Sequence, residues 1–288
     1  MLFFIIKKFR NLYIWKRLFL ERLAEPLHLN VISIFVAVFG TYRAKIAFDL
    51  ILRQQHAFAL LKAADYARMN RISKISVLEF GVANGAGLIN ICKICERLTK
   101  ITGVEFVIVG FDTGKGMPPP RDFRDHPEYY SHCDFPMQNQ DALRELLPEN
   151  AKLWIGDVGT TVPEFLRTLE APIGFVSIDV DYFWSTVEAL RVLDGSPENY
   201  LPLVPMYIDD VEFDGHSIYA GELLALEEFN QEHPSRKITK FSFLRQKRIF
   251  QRPNWIDHTY TLHVFDHPSR DAALSNTGQV VLTNPYLK

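Results

Sequence analysis

Cysteine is scarce in this chain: Cys92, Cys95 and Cys133 are the only three in 288 residues. Three cannot build a disulfide framework, and Cys92 and Cys95, three apart with no second pair, do not complete a zinc site. They read as packing residues of a protein in a reducing, cytoplasmic compartment. An excess of either charge is also missing, with 32 Lys and Arg against 34 Asp and Glu and a net charge of −2. No nucleic-acid footprint is expected from that balance. Internal repeats and low-complexity tracts are absent, and nothing suggests a second globular domain. No apolar run is long enough to span a bilayer, since Val31 to Phe39 falls far short, and the charge order at the N-terminus is wrong for a signal peptide.

What is present is enough apolar residue, 48% against 23% charged, to bury one substantial core. Residues 1–20 differ in character, with five basic residues and no acid among large apolar ones. On a helical wheel Lys7, Arg10, Asn11 and Arg17 cluster, but Lys16 falls nearly opposite. The segregation is imperfect, so an arm that packs on the core or joins a homodimer is expected in preference to an interfacial membrane helix. Residues 47–68 carry helical spacing in Ala47, Leu50, Ile51, Ala57, Leu60, Leu61 and Ala64.

From Ile75 onward apolar runs alternate with helical patterns, which predicts a parallel sheet with crossover helices. Strands are expected over Val77–Phe80, Phe106–Phe111, Leu153–Ile155, Gly174–Ile178 and Pro205–Ile208, with two more over Ile238–Phe243 and Tyr260–Phe265. The first five end in or run into an acid: Glu79, Asp112, Asp157, Asp179 and Asp209. Ligands of open α/β sheets bind outside the carboxyl ends of the strands, so these acids converge on one rim. Thr161 and Glu164 suggest a capping box for the helix after the third strand.

The first strand breaks into Glu79-Phe80-Gly81-Val82-Ala83-Asn84-Gly85-Ala86-Gly87, a glycine-rich turn opening a helix. Glycine permits positive φ and close backbone approach, so a small ligand against this turn and a tight strand-to-helix corner are both open readings. The spacing is not the Gly-x-Gly-x-x-Gly of dinucleotide sites. Glu79 before the turn favours a cationic ligand over a phosphate. A carboxylate at Asp112 has the two oxygens needed to accept from both hydroxyls of a ribose. Asp157 suits either a ligand amino group or a cap on the next turn.

Further on, Asp179-Val180-Asp181 and Ile208-Asp209-Asp210 bring carboxylates to neighbouring strand ends. Such a group repels itself unless a hard divalent cation neutralises it; solvated strand-end acids are the alternative. His216 is a second candidate base beside Asp181. The segment from Met117 to Phe135, with Tyr129 and Tyr130, is long enough for a lid or an ordered crossover connection.

The glycine turn resembles motif I of the class I S-adenosylmethionine-dependent methyltransferases, with Ala83 for the usual middle glycine. Asp-x-Asp-x-x-x-Ser-Thr over 179–186, then Asp209-Asp210, together with Gly110-Phe111-Asp112-Thr113-Gly114-Lys115-Gly116-Met117-Pro118, is similar to the macrocin and novobiocin-type sugar O-methyltransferases over roughly residues 75–230. Lys115, the missing Gly-Gly before the fifth strand and Val211 depart from that pattern. The resemblance implies a Rossmann-like three-layer sandwich around a mostly parallel seven-stranded sheet, with an antiparallel strand near the C-terminus. It divides the chain into an N-terminal helical arm (1–70), a methyltransferase domain (71–268) and a tail (269–288). It implies S-adenosylmethionine bound by Glu79, Gly81, Ala83, Asn84, Gly85, Asp112, Thr113, Asp157 and Asp179. It further implies Mg²⁺ on Asp179, Asp209 and Asp210, Asp181 as base, and methylation of a hydroxyl on a small, sugar-like acceptor. The rivals are a hydroxylase-like tailoring enzyme on the same fold and a catalytically degenerate cofactor-binding scaffold.

Overall fold

The computed structural model describes residues 21–212, 217–270, 278 and 283–285. Its strands are β1 (Lys74–Phe80), β2 (Glu105–Asp112), β3 (Ala151–Ile155), β4 (Ile173–Ile178), β5 (Leu203–Ile208), β6 (Arg236–Lys240) and β7 (Thr259–Val264). They form one sheet in the order β3-β2-β1-β4-β5-β7-β6. The first five run parallel, and β7 pairs antiparallel with both β5 and β6. β1 and β4 are buried almost end to end, as strands covered on both faces must be. The order reverses between β1 and β4, which opens a crevice at their carboxyl ends.

The helices are α1 (Leu27–Phe39), α2 (Tyr42–Ala47), α3 (Gln54–Met69), α4 (Ala86–Thr102), α5 (Gln140–Leu146), α6 (Val158–Arg167), α7 (Phe183–Leu190), α8 (Gly221–Glu232) and α9 (Leu244–Lys247). α3 lies against β1, β4 and β5 beside α4, while α6, α7 and α8 pack together on the opposite side, giving three layers. Ala57, Ala59, Ala63, Ala64 and Ala67 of α3 are fully buried, and their small side chains let the helix approach the sheet closely. His56 on the same helix is buried against Phe175 and Tyr207, and burial pushes its pKa down to about 3, so it packs as a neutral ring. Leu88, Ile91, Cys92, Cys95 and Leu98 form the buried stripe of α4, as their spacing predicts.

Three local expectations need correction. The helix expected over 47–68 begins only at Gln54, because Asp49 (φ 52°) and Arg53 (φ 53°) adopt left-handed backbone between α2 and α3. Asp49 is buried there in an ion pair with Arg248 at 2.6 Å. The strand expected over 238–243 stops at Lys240, since Phe243 (φ 65°) turns into α9. Thr161 does not cap α6: the helix begins at Val158, Asp157 is the cap, and the Thr161 hydroxyl donates to the Asp157 carbonyl from inside the first turns. α3, which the sequence reading assigned to the arm, belongs to the helical layer of the core, whereas α1 buries only Ser33. Residues 1–20 and His216 lie outside the described residues, as does most of the 269–288 tail.

Candidate functional site

The β1–α4 turn supplies one wall. Gly81 has φ 85°, and a Cβ there would sit 1.7 Å from the carbonyl oxygen of Asp179, so the turn can approach the end of β4 only as glycine. Ala83, also at positive φ, donates its N–H to Asp112 Oδ2 at 2.7 Å, and Gly114 donates to Oδ1 at 2.6 Å. Both carboxylate oxygens of Asp112 are thereby aimed, each with a further lone pair to offer. The Thr113 hydroxyl donates to the Gly116 carbonyl at 2.7 Å and braces the next turn. Glu79 lies deeper, 5% exposed, with its Oε1 where a Cβ on Gly87 would come within 2.0 Å. Burial raises its pKa to about 8, so without a cation to face it is a neutral acid at pH 7.

The opposite wall is the carboxylate rim. Asp179, Asp181 and Asp210 each offer an oxygen within 4.8 Å of the others, a spacing compatible with the shell of a hard divalent ion. Asp209 stands slightly apart, its Oδ1 accepting the Tyr207 hydroxyl at 2.7 Å. Asp181 is held at φ 61° by a tight turn in which Tyr182 N–H donates to the Val180 carbonyl at 2.6 Å. Such backbone in a non-glycine residue carries strain that the surroundings must maintain. Burial first, then neighbouring carboxylates, raises the pKa of Asp210 to about 8; Asp181, raised mainly by burial, reaches about 6; Asp179 is raised well above its ordinary value by burial and Asp209. Asp210 Oδ2 is buried without a hydrogen-bond partner. The raised values mean that the cluster holds protons which isolated carboxyls would have lost at neutral pH.

Glu222, at the start of α8, ties the rim together. It is fully buried, and its two oxygens accept the backbone N–H groups of Val180 at 3.3 Å and Asp210 at 3.0 Å. Sequence reasoning passed over it. The available signal was an acid at 222 on the same helical stripe as the buried Ala225, Leu226 and Phe229. Asp125 was likewise passed over: fully buried, it accepts the N–H of Arg121 at 2.8 Å and of Trp184 at 3.1 Å, capping α7 from the 113–139 segment.

Between the walls is a cavity of about 440 Å³, within the range of small-molecule sites. Gly81, Ala83, Asp112, Thr113, Asp179, Asp181, Asp209 and Asp210 all line it. Glu79, Asn84, Gly85 and Asp157 do not. Asn84 accepts the Gln138 N–H at 2.9 Å, Gly85 starts α4 beneath Leu143, and Asp157 Oδ1 accepts the Gly159 N–H at 2.9 Å. The 113–139 segment roofs the cavity with Met117, Pro118, Tyr130, Asp134 and Phe135. Its Tyr130 hydroxyl donates to Asp210 Oδ1 at 3.0 Å.

No protein-family model matches the chain, and no curated protein matches its sequence. Solved structures do. CalS11, a calicheamicin methyltransferase, is 21% identical with a TM-score of 0.51, over 74% of this chain and 80% of that one. The O-methyltransferase NovP is 16% identical with a TM-score of 0.45, over 62% and 72%. TomG, an O-methyltransferase of Streptomyces achromogenes, is 14% identical with a TM-score of 0.35, over 86% and 93%. With the strand order above, the likeness to CalS11 shows that this chain has the Rossmann-like fold of the class I methyltransferases.

Proposed function

We propose that the protein is an S-adenosylmethionine-dependent O-methyltransferase that methylates a hydroxyl of a small, sugar-like acceptor with help from a divalent cation such as Mg²⁺. The observation that carries this reading is one cavity reaching from the aimed carboxylate of Asp112 to the cluster of Asp179, Asp181 and Asp210. Gly81 and Ala83 present backbone to the cavity where a cofactor would lie, and Asp210 Oδ2, buried without a hydrogen-bond partner, fits a cation. Asp179 and Asp210 would hold the ion, with Asp209 or Asp181 completing its protein ligands.

When bound, the sulfonium supplies an activated methyl group, and the cation makes a coordinated hydroxyl more acidic. The chain's own groups do the rest. Asp112, fixed by Ala83 and Gly114, orients a ribose through its remaining lone pairs. Asp181 takes the hydroxyl proton as the new oxygen–carbon bond forms and the carbon–sulfur bond breaks, leaving a neutral sulfide and a protonated Asp181. Asp181 lines the cavity beside Asp179 and Asp210, where its carboxylate can accept that proton. The roof residues Met117, Tyr130 and Phe135 exclude water and bound the acceptor.

Calorimetry with S-adenosylhomocysteine, with and without Mg²⁺, tests the reading. Binding that the ion strengthens is the expected result. Absence of any binding would remove the proposal, and cofactor binding with no ion binding would leave a scaffold.

A further inference from the structure

Two tyrosine hydroxyls reach the carboxylate rim, one from the sheet and one from the roof. Tyr207, near the end of β5, donates to Asp209 Oδ1 at 2.7 Å, and Tyr130 donates to Asp210 Oδ1 at 3.0 Å. A phenol has a single proton to give, so each engages one oxygen of one carboxylate and leaves the other, Oδ2, to a ligand. In Asp210 that remaining oxygen is buried with no hydrogen-bond partner. Both rings are braced. Tyr207, 7% exposed, stacks on His258 with centroids 5.9 Å apart and meets His56 edge-on at 5.5 Å, and Tyr130 lies edge-on to the buried Tyr182 at 6.1 Å. The backbone of the acids is held as well. Facing a carbonyl, His258 Nδ1 carries a proton that it donates to Asp209 O at 2.6 Å, and the Asp210 N–H donates to Glu222 Oε2 at 3.0 Å.

The number of oxygens a carboxylate can turn to an ion bears on the ion's size. Ca²⁺ gathers roughly six to eight oxygens and readily takes both from one carboxylate, whereas Mg²⁺ and Mn²⁺ favour a tight octahedron of about six, waters included. A second oxygen from Asp209 or Asp210 can enter the shell only by giving up its tyrosine donor, at the cost of that hydrogen bond. Building on the cation site proposed above, we infer that Tyr207 and Tyr130 are positioning residues that limit Asp209 and Asp210 to one oxygen each, and so select an ion of Mg²⁺ or Mn²⁺ size over Ca²⁺. Tyr130 carries the larger share, because Asp210 belongs to the tight cluster with Asp179 and Asp181 while Asp209 lines the cavity outside it.

The test is calorimetry of Mn²⁺ and of Ca²⁺ on the full chain in the presence of S-adenosylhomocysteine, which needs no acceptor. The unaltered protein should bind Mn²⁺ more tightly than Ca²⁺. In Tyr130→Phe, and to a smaller extent in Tyr207→Phe, Ca²⁺ affinity should rise relative to that for Mn²⁺, the ratio moving by about tenfold in the double variant. Tyrosines that served folding alone would weaken both ions together when replaced and leave the ratio where it was. That outcome overturns the inference, as does a preference of the unaltered protein for Ca²⁺. Tyr130 stands on the roof, so Tyr130→Phe reads the ratio even where Tyr207→Phe, within the sheet, fails to fold. Binding of S-adenosylhomocysteine with no binding of either ion to the unaltered protein would remove the cation site itself, and the inference with it.

Discussion

The Tyr130 hydroxyl donates to Asp210 Oδ1 at 3.0 Å across 80 residues of sequence, so the roof of the cavity is latched to its carboxylate rim. With the Asp210 pKa raised to about 8 the acceptor is mostly an uncharged carboxyl at neutral pH, and such a hydrogen bond contributes about 0.5–1.5 kcal/mol. Tyr130→Phe should lose a stabilisation of that order and speed amide hydrogen exchange across residues 117–135. The affinity for S-adenosylhomocysteine, set on the other wall, should stay within about twofold. Hydrogen exchange and calorimetry on one preparation check both halves; unchanged exchange would mean that the latch is incidental.

The clamp predicts a separation of effects. Glu222→Gln replaces one accepting oxygen by an NH₂ facing a buried backbone N–H, at Val180 or Asp210. Mn²⁺ binding should weaken by about tenfold or more, with S-adenosylhomocysteine binding little altered. Titration of each ligand separately decides it, since general unfolding would weaken both.

Stability and ion binding should respond to pH in opposite directions. Burial raises the pKa values of Glu79 and Asp210 to about 8 and of Asp181 to about 6. The unfolded chain gives up these protons near pH 4, whereas the folded state keeps them longer. Between those limits the native state binds more protons, so the stability of the ligand-free protein falls as pH rises towards about 8. Mn²⁺ affinity should climb over the same range, because its ligands must be deprotonated. Denaturant melts and Mn²⁺ titrations from about pH 5 to about pH 9 read both slopes, and parallel slopes would contradict this account.

Within the rim, substitutions should rank. Asp181 joins Asp179 and Asp210 within 4.8 Å, whereas Asp209 is engaged by Tyr207. Asp210→Asn should therefore weaken Mn²⁺ more than Asp209→Asn does, and Asp181→Asn should cost ~10²-fold in turnover once an acceptor is found. Equal losses at 209 and 210 would put the ion on the Asp209 side.

Asp112 and Asp157 end neighbouring strands and should behave differently. Asp112→Asn is expected to weaken S-adenosylhomocysteine by about tenfold. Asp157→Ala removes the α6 cap, a loss of about 1 kcal/mol in a chemical melt with affinity unchanged. A loss of affinity in the second variant would restore Asp157 to the ligand pocket.

The sheet was legible because period and strand-end acids are local signals: every strand expected from the apolar runs is present, and the antiparallel β7 lies where Tyr260–Phe265 suggested. Legibility fell wherever the reason for a residue lay far away in sequence. Gly81, Gly85 and Gly87 read as clearance for a ligand, yet the groups filling their missing Cβ positions are the Asp179 carbonyl, Leu143 and Glu79. Glu79 read as a charge for a cationic ligand, but burial raises its pKa to about 8 and sets it behind the cavity wall. Glu222 showed only as an acid on an apolar stripe, because its partners at Val180 and Asp210 are backbone groups that carry no residue signature. The break at Asp49 and Arg53 escaped for a similar reason, since the buried ion-pair partner of Asp49, Arg248, lies 199 residues further on.

The position of Glu222 along the chain also bears on how the site comes into being during synthesis. It follows Val180 by 42 residues and Asp210 by 12, so all four aspartates of the rim leave the ribosome before the residue that ties their turns together. Any truncation of the chain between Asp210 and α8 would therefore keep all four aspartates and lose the one carboxylate that holds the amides of Val180 and Asp210.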